Sequence, residues 1–252
     1  MLRPRTPSAV VLYFQPRVAR ESLPRGPVPA TTPEASNRGA AHWSVHDGRW
    51  PRWPLLAGVV WAAAVGVGIY RLNRYENTPG LGASAPQQWP TDTEIARTRG
   101  QPTLVMFAHP HCPCTRASIG ELAILMARAQ GLASATVLFG APTDFPAGWH
   151  ETDLWQTAAA IPGVTVMADP DGREAQRFGA ATSGQTLLYD ASGRLQFDGG
   201  ITDGRGHSGD NVGRATLLAL LTDGPAAVRA GAAVFGCPLV LASDAEALES
   251  RQ

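Results

Sequence analysis

The spacing of apolar and polar positions divides the chain into stretches of different character. Residues 1–53 show no sustained apolar period and are expected to be disordered. Residues 55–70, LLAGVVWAAAVGVGIY, are uninterrupted by charge and present no polar face, the pattern of a helix surrounded by lipid rather than of one lying on a core. At about 1.5 Å per residue they reach roughly 24 Å, and Trp50, Trp53 and Tyr70 complete the span at the two interfaces. Residues 77–90 are rich in Gly, Pro, Ser and Gln and read as a flexible tether.

Beyond the tether, the pattern alternates between strand and helix. A short helix is expected at 91–99, a buried strand at 103–108 (TLVMFA), and a helix at 115–129 with Ile119, Leu122, Leu125 and Met126 on one face. Strands follow at 135–140 and 164–168, with a helical insertion at 148–161 and a brief helix at 173–178. Ala191-Ser192-Gly193 separates two further runs, 185–190 and 194–198, as the turn of a hairpin. An amphipathic helix at 211–221 closes the pattern. Alternation followed by a hairpin and a final helix predicts a mixed sheet covered by helices on both faces.

The segments expected are therefore a basic cytoplasmic stretch 1–53, an anchor 54–72, a linker 73–90, a folded domain 91–224 and an extension 225–252 carrying Cys237. A start codon placed too far upstream would also produce such a leading stretch, with a true start near Val45. A cleaved signal peptide is disfavoured, because Ala83-Ser84-Ala85 lies well past the apolar run and precedes Pro86. Arginines flank the span evenly at 49, 52, 71 and 74, but the excess lies further upstream, which predicts a cytoplasmic N-terminus and a periplasmic C-terminal domain on a bacterial inner membrane.

Composition removes several function classes. Formal charge is zero, and no basic stripe interleaved with aromatics marks a nucleic-acid partner. All 21 basic residues are arginine, which reads as a coding bias of a GC-rich genome. Three cysteines are too few for a disulfide-stapled scaffold, and their spacing is not that of structural zinc. The glycine-rich GRGHSGD at 204–210 lacks the strand-to-helix context of a phosphate loop, so no nucleotide is assigned and His207 is expected to be a loop residue. Asp190 and Asp198 are expected to serve turns and solvent.

The chemistry concentrates at His109-Pro110-His111-Cys112-Pro113-Cys114-Thr115-Arg116, where the first long strand gives way to a helix. Cys112 is expected in the loop and Cys114 in the first helical turn, where unpaired amides and the positive end of the helix dipole favour thiolate over thiol. Arg116 is expected to add to this field, and Pro113 suits a helix start, where its missing N–H costs nothing.

TLVMFAHPHCPCTRAS resembles the strand, cysteine loop and helix of the thioredoxin superfamily, especially its membrane-tethered TlpA-like and redoxin branches. The downstream VTVMADPDGREAQRFGAATSGQTLLYDASGRLQFDGGI is similar to that group's strand ending in Asp, short helix, substrate-facing loop and hairpin. A RedB-type group, which pairs Cys-Pro-Cys with a late Gly-Cys-Pro, is the nearest match in pattern. The resemblance covers roughly 91–221 and implies a thioredoxin-like mixed sheet preceded by one transmembrane helix. It also implies thiol–disulfide exchange with protein thiols and disulfides of the periplasm, with no cofactor: Cys112 reacts first, Cys114 resolves, and Cys237 is either a resolving or relay thiol that folds back onto Cys112 or Cys114 and passes the bond onward, or only a small buried residue. Two departures stand out. The family usually places two residues between its cysteines, which would put the partner of Cys112 at Thr115, and it has a cis-proline where this chain has Gly184.

Alternative chemistries remain. His109, His111, Cys112 and Cys114 offer soft thiolates and imidazoles suited to Cu(I), as in copper-delivery proteins of the Sco type, which however space their cysteines by three residues and take a distant histidine; His150 and His207 are the downstream candidates. A peroxiredoxin would need Thr or Ser at position 109, where His stands. A non-catalytic interaction domain with a static disulfide is the third alternative.

Overall fold

The computed structural model describes residues 52–81, 84–224 and 230–239. The stretch expected to be disordered at 1–53 falls almost entirely outside the described residues, and of the extension expected at 225–252 only 230–239 are described. The apolar run forms helix α1, Trp53–Glu76, which continues past the last apolar residue through Arg71 and Arg74. Its 24 residues span about 36 Å, long enough to cross a membrane, and none of its side chains is buried.

Residues 103–108 form β1, Thr103–Ala108, buried along its whole length. It is followed by α2 (Pro113–Arg128), β2 (Ser134–Ala141), α3 (Asp153–Ala159), β3 (Val164–Pro170), α4 (Arg173–Arg177), β4 (Thr186–Tyr189), β5 (Leu195–Gly199), α5 (Val212–Thr222) and β6 (Ala230–Gly231). The six strands make one sheet in the order β3-β2-β1-β4-β5-β6. β1 runs parallel to β2 and antiparallel to β4, so the parallel half and the hairpin half meet on the central strand. This is the helix-flanked mixed sheet that the thioredoxin-like resemblance implies.

Successive side chains of β1 point to opposite faces, and each face has its own core. Leu104 and Met106 pack with Ile119, Leu122 and Leu125 of α2, Phe139 of β2 and Leu217 of α5. Val105 and Phe107 pack on the other side with Leu138, Phe178, Leu187 and Tyr189. A strand buried at every position and apolar from Leu104 to Ala108 is what a doubly covered sheet requires.

Three expectations are corrected. Residues 91–99 form turns, not a helix: the Thr93 hydroxyl takes the Ile95 N–H at 3.1 Å, a local bond that competes with helical pairing. The insertion expected as a helix over 148–161 is helical only in α3, and the residues before it are turns. The stretch expected to be a loose tether is packed on the domain at its C-terminal end. Ala85 is buried, the Tyr189 hydroxyl donates to the Pro86 carbonyl at 2.9 Å, and the Trp89 ring meets Phe178 and Tyr189 edge-on. Asp198 joins in, accepting from the Gln185 amide at 2.8 Å and from Ala85 N–H at 3.3 Å, so it serves this packing rather than solvent. Asp190 does hold the β4–β5 turn, through Ser192 and Arg194.

Candidate redox site

The reactive loop leaves the buried end of β1 and turns into α2 at Cys112, the residue preceding the first helical turn, with extended backbone (φ −86°, ψ 119°) and Pro113 next. Cys112 therefore sits at a helix start as the sequence predicts, and Cys114 lies in the first turn. A small hydroxyl network fixes the loop. Ser183 Oγ accepts from His109 N–H at 2.9 Å and lies 2.7 Å from Thr115 Oγ1, which also contacts the His109 carbonyl at 3.2 Å.

Ser183 belongs to the loop before β4, and this is where the C-terminal extension enters the site. Ser183 N–H donates to the Cys237 carbonyl at 2.8 Å, and Leu239 N–H to the Ala181 carbonyl at 2.9 Å, so residues 237–239 lie antiparallel along residues 181–183. The approach is close enough that a Cβ on Gly236 would collide with the Ser183 carbonyl. Gly184, in the position the resemblance gives to proline, has φ +90°, and a Cβ there would fall 2.7 Å from Ser118 Oγ. Its N–H donates to Phe107 O at 2.7 Å, carrying the β1–β4 pairing up to the reactive loop.

The outcome of this pairing is that Cys237 Sγ stands 2.9 Å from Cys112 Sγ, although 125 residues separate them in sequence. All three cysteines are free thiols. Burial alone would raise the Cys112 pKa. Hydrogen bonds from the Cys237 thiol and backbone, then from the Thr115 backbone and hydroxyl, outweigh it and bring Cys112 below the ordinary thiol value. Cys237 is pushed up to about 12 by burial and then by its proximity to Cys112, and Cys114 is raised for the same two reasons in the same order. The three sulfurs are thus differentiated: Cys112 loses its proton more readily than an ordinary thiol, and Cys114 and Cys237 less readily.

The charged residue near these sulfurs is not the one expected. Arg116 points away and pairs with Asp153 at 2.6 Å on the surface. Arg205, from the glycine-rich loop, lies beside Cys114 and Cys237 in a cleft of about 370 Å³ closed on one side by Leu72 and Tyr75 of α1. No motif marks Arg205 for this place, because only the folding of a distant loop brings it there. His207, three residues from the loop's start, is exposed and lies 3.8 Å from Glu76, a loop residue as expected.

Of the four candidate copper ligands, the two histidines pack on Trp149. The His111 ring packs on Trp149 at 4.5 Å and its Nε2 lies 3.1 Å from the Trp149 carbonyl, and half-buried His109 packs edge-on against the same indole. Burial, then the neighbouring His111, lowers the His109 pKa. Among the described residues no group of three or more His, Cys, Asp or Glu side chains is placed to hold a metal ion.

No family model matches the chain, and no curated protein does. Among solved structures it is similar to a hypothetical protein from Sinorhizobium meliloti, at 19% identity and a TM-score of 0.48 over 62% of this chain and 96% of that one. It is also similar to an uncharacterized conserved protein from Geobacillus kaustophilus, at 20% identity and 0.46 over 66% and 94% respectively. A third is a secreted disulfide oxidoreductase of Mycobacterium tuberculosis, at 16% identity and 0.34 over 50% and 83%. Likenesses this distant say nothing of activity.

Proposed function

We propose that this chain is a membrane-tethered thiol–disulfide oxidoreductase in which Cys112 is the attacking sulfur and Cys237 the resolving one. The observation that carries the reading is the Cys112 sulfur at the start of α2 with a second thiol 2.9 Å away; hydrogen bonds from that thiol and from Thr115 lower the Cys112 pKa. In the reducing direction, Cys112 S⁻ attacks a protein disulfide, forming a mixed disulfide and releasing one partner thiolate. Cys237 then loses its proton to solvent and attacks Cys112 Sγ. The second partner thiolate departs and a Cys112–Cys237 disulfide remains, so one disulfide is reduced for each one formed. Run backwards, the same steps oxidise a dithiol. Cys114, the resolving residue expected from sequence, lies in the same cleft as Cys237, and in this reading it takes the bond in a later exchange.

Because Cys112 is only 2% exposed, the 236–239 segment has to lift before a protein partner reaches it. Tail and partner alternate at one place, and the returning tail delivers the resolving sulfur. The exposed apolar helix α1 supports an anchor in the bacterial inner membrane, with the arginine-rich N-terminus inside and the thiol domain in the periplasm.

The test is to treat the full-length chain in detergent with one equivalent of dipyridyl disulfide and map the products. This reading expects two thiopyridones released per chain and a Cys112–Cys237 cross-linked peptide. A stable thiopyridyl adduct on Cys112 with no internal disulfide contradicts it.

A further inference from the structure

Arg205 makes contacts that a solvated loop arginine does not. Its Nη1 donates to the carbonyl of Gly236, the residue before Cys237, while its Nε donates to the Tyr75 carbonyl at 3.2 Å and its guanidinium lies 4.8 Å from the Tyr75 ring centre. Its own backbone is fixed by donation to the Glu76 carbonyl at 3.0 Å. A planar fork with five donors can hold the end of α1 and the C-terminal segment together, and its charge is permanent.

We propose that Arg205 is the positioning residue of the second half of the exchange: it holds the Gly236 carbonyl so that Cys237 Sγ faces Cys112, and it supplies the positive charge against which the resolving thiolate forms. The proposal rests on the oxidoreductase reading above and extends it to a residue from a different loop. The groups facing Cys237 are Cys112 just before α2, Cys114 in its first turn and Arg205 itself, with Tyr75 and Glu76 of α1 lining the same cleft. Of these, Arg205 alone favours loss of the Cys237 proton, so its removal shifts the resolving step to higher pH.

Two-phase release of thiopyridone from the neutral dipyridyl disulfide separates the halves: the first phase reports attack by Cys112, the second attack by Cys237. In Arg205→Gln the ratio of second-phase to first-phase rate is expected to fall about tenfold, with the pH midpoint of the second phase raised, consistent with loss of one charge-assisted hydrogen bond. Arg205→Lys keeps the charge but not the fork, so it is expected to restore the pH midpoint while recovering only part of the rate; it also serves if the Gln variant folds poorly. An unaltered ratio and midpoint in both variants, or equal slowing of the two phases, overturns the role of Arg205 alone. A wild-type chain with no first phase overturns the exchange reading and this proposal with it.

Discussion

Helix α2 carries buried polar groups near both its beginning and its middle, and the two regions have opposite characters. In the middle, Glu121 is fully buried and paired with Arg214 of α5, while Gly209 N–H donates to its other oxygen at 2.7 Å and the Asn211 amide lies 3.3 Å away. Arg214 bonds Asp210 as well at 2.8 Å, and Asn211 caps α5 through Arg214 N–H at 2.7 Å. Every charge there has an opposite charge. At the helix start, the buried group is a sulfur whose negative form is held only by hydrogen bonds from Cys237 and Thr115, with the nearest guanidinium turned to the other two sulfurs. Full pairing makes a buried polar group structural, because nothing is gained by its reacting; incomplete pairing leaves a sulfur ready to make a bond.

The sharpest way to break the comparison is Cys112→Ser, expected to reduce exchange to the uncatalysed background in the thiopyridone assay while leaving the melting transition in place. Glu121→Ala should do the reverse. Arg214 then keeps only the exposed Asp210 as a partner, and the loss of the buried carboxylate is expected to cost about 3 kcal/mol in a urea titration, whereas the thiol chemistry of whatever remains folded persists.

Gly236→Ala acts between these extremes. The added Cβ displaces the tail from Ser183, so alkylation of Cys112 is expected to accelerate about tenfold as the lost backbone bonds uncover it, while the yield of Cys112–Cys237 disulfide falls. Arg116→Ala is the smallest effect: its partner Asp153 is on the surface, so neither the melting temperature nor the titration of Cys112 should move measurably.

The sheet was legible because β1 is an unbroken apolar run from Leu104 to Ala108 and β4–β5 straddle an Ala-Ser-Gly turn. The start of α2 was legible from Pro113 and the change of period, which placed Cys112 and Cys114 correctly. The neighbour of Cys112 was legible only in part. Cys237 was a candidate for folding back onto Cys112 or Cys114, but Cys114, close in sequence, invited the resolving role, and the backbone bonds to 181–183 that bring Cys237 in are encoded by no side-chain pattern. β6, Ala230–Gly231, has no strand signal for the same reason. Arg116 and Arg205 exchanged roles because position along the chain says which residues are near a motif only when the chain is helical, and Arg205 reaches the sulfurs from a loop after β5.

The claim beneath all of this is that the folded chain releases the Cys112 proton more readily than an unfolded chain does. A thiol whose folded value is depressed stabilises the fold in full above the ordinary thiol value, and that contribution is lost as pH falls through the folded value; Cys237, raised to about 12, has the opposite sign. The direct measurement is the pH dependence of alkylation at each cysteine of the full-length chain, read by quantitative peptide mass spectrometry. The account predicts a Cys112 midpoint below that of a free cysteine, with Cys237 unreactive until strongly alkaline pH. A Cys112 midpoint at or above that of a free cysteine, or Cys237 reacting first, would contradict it.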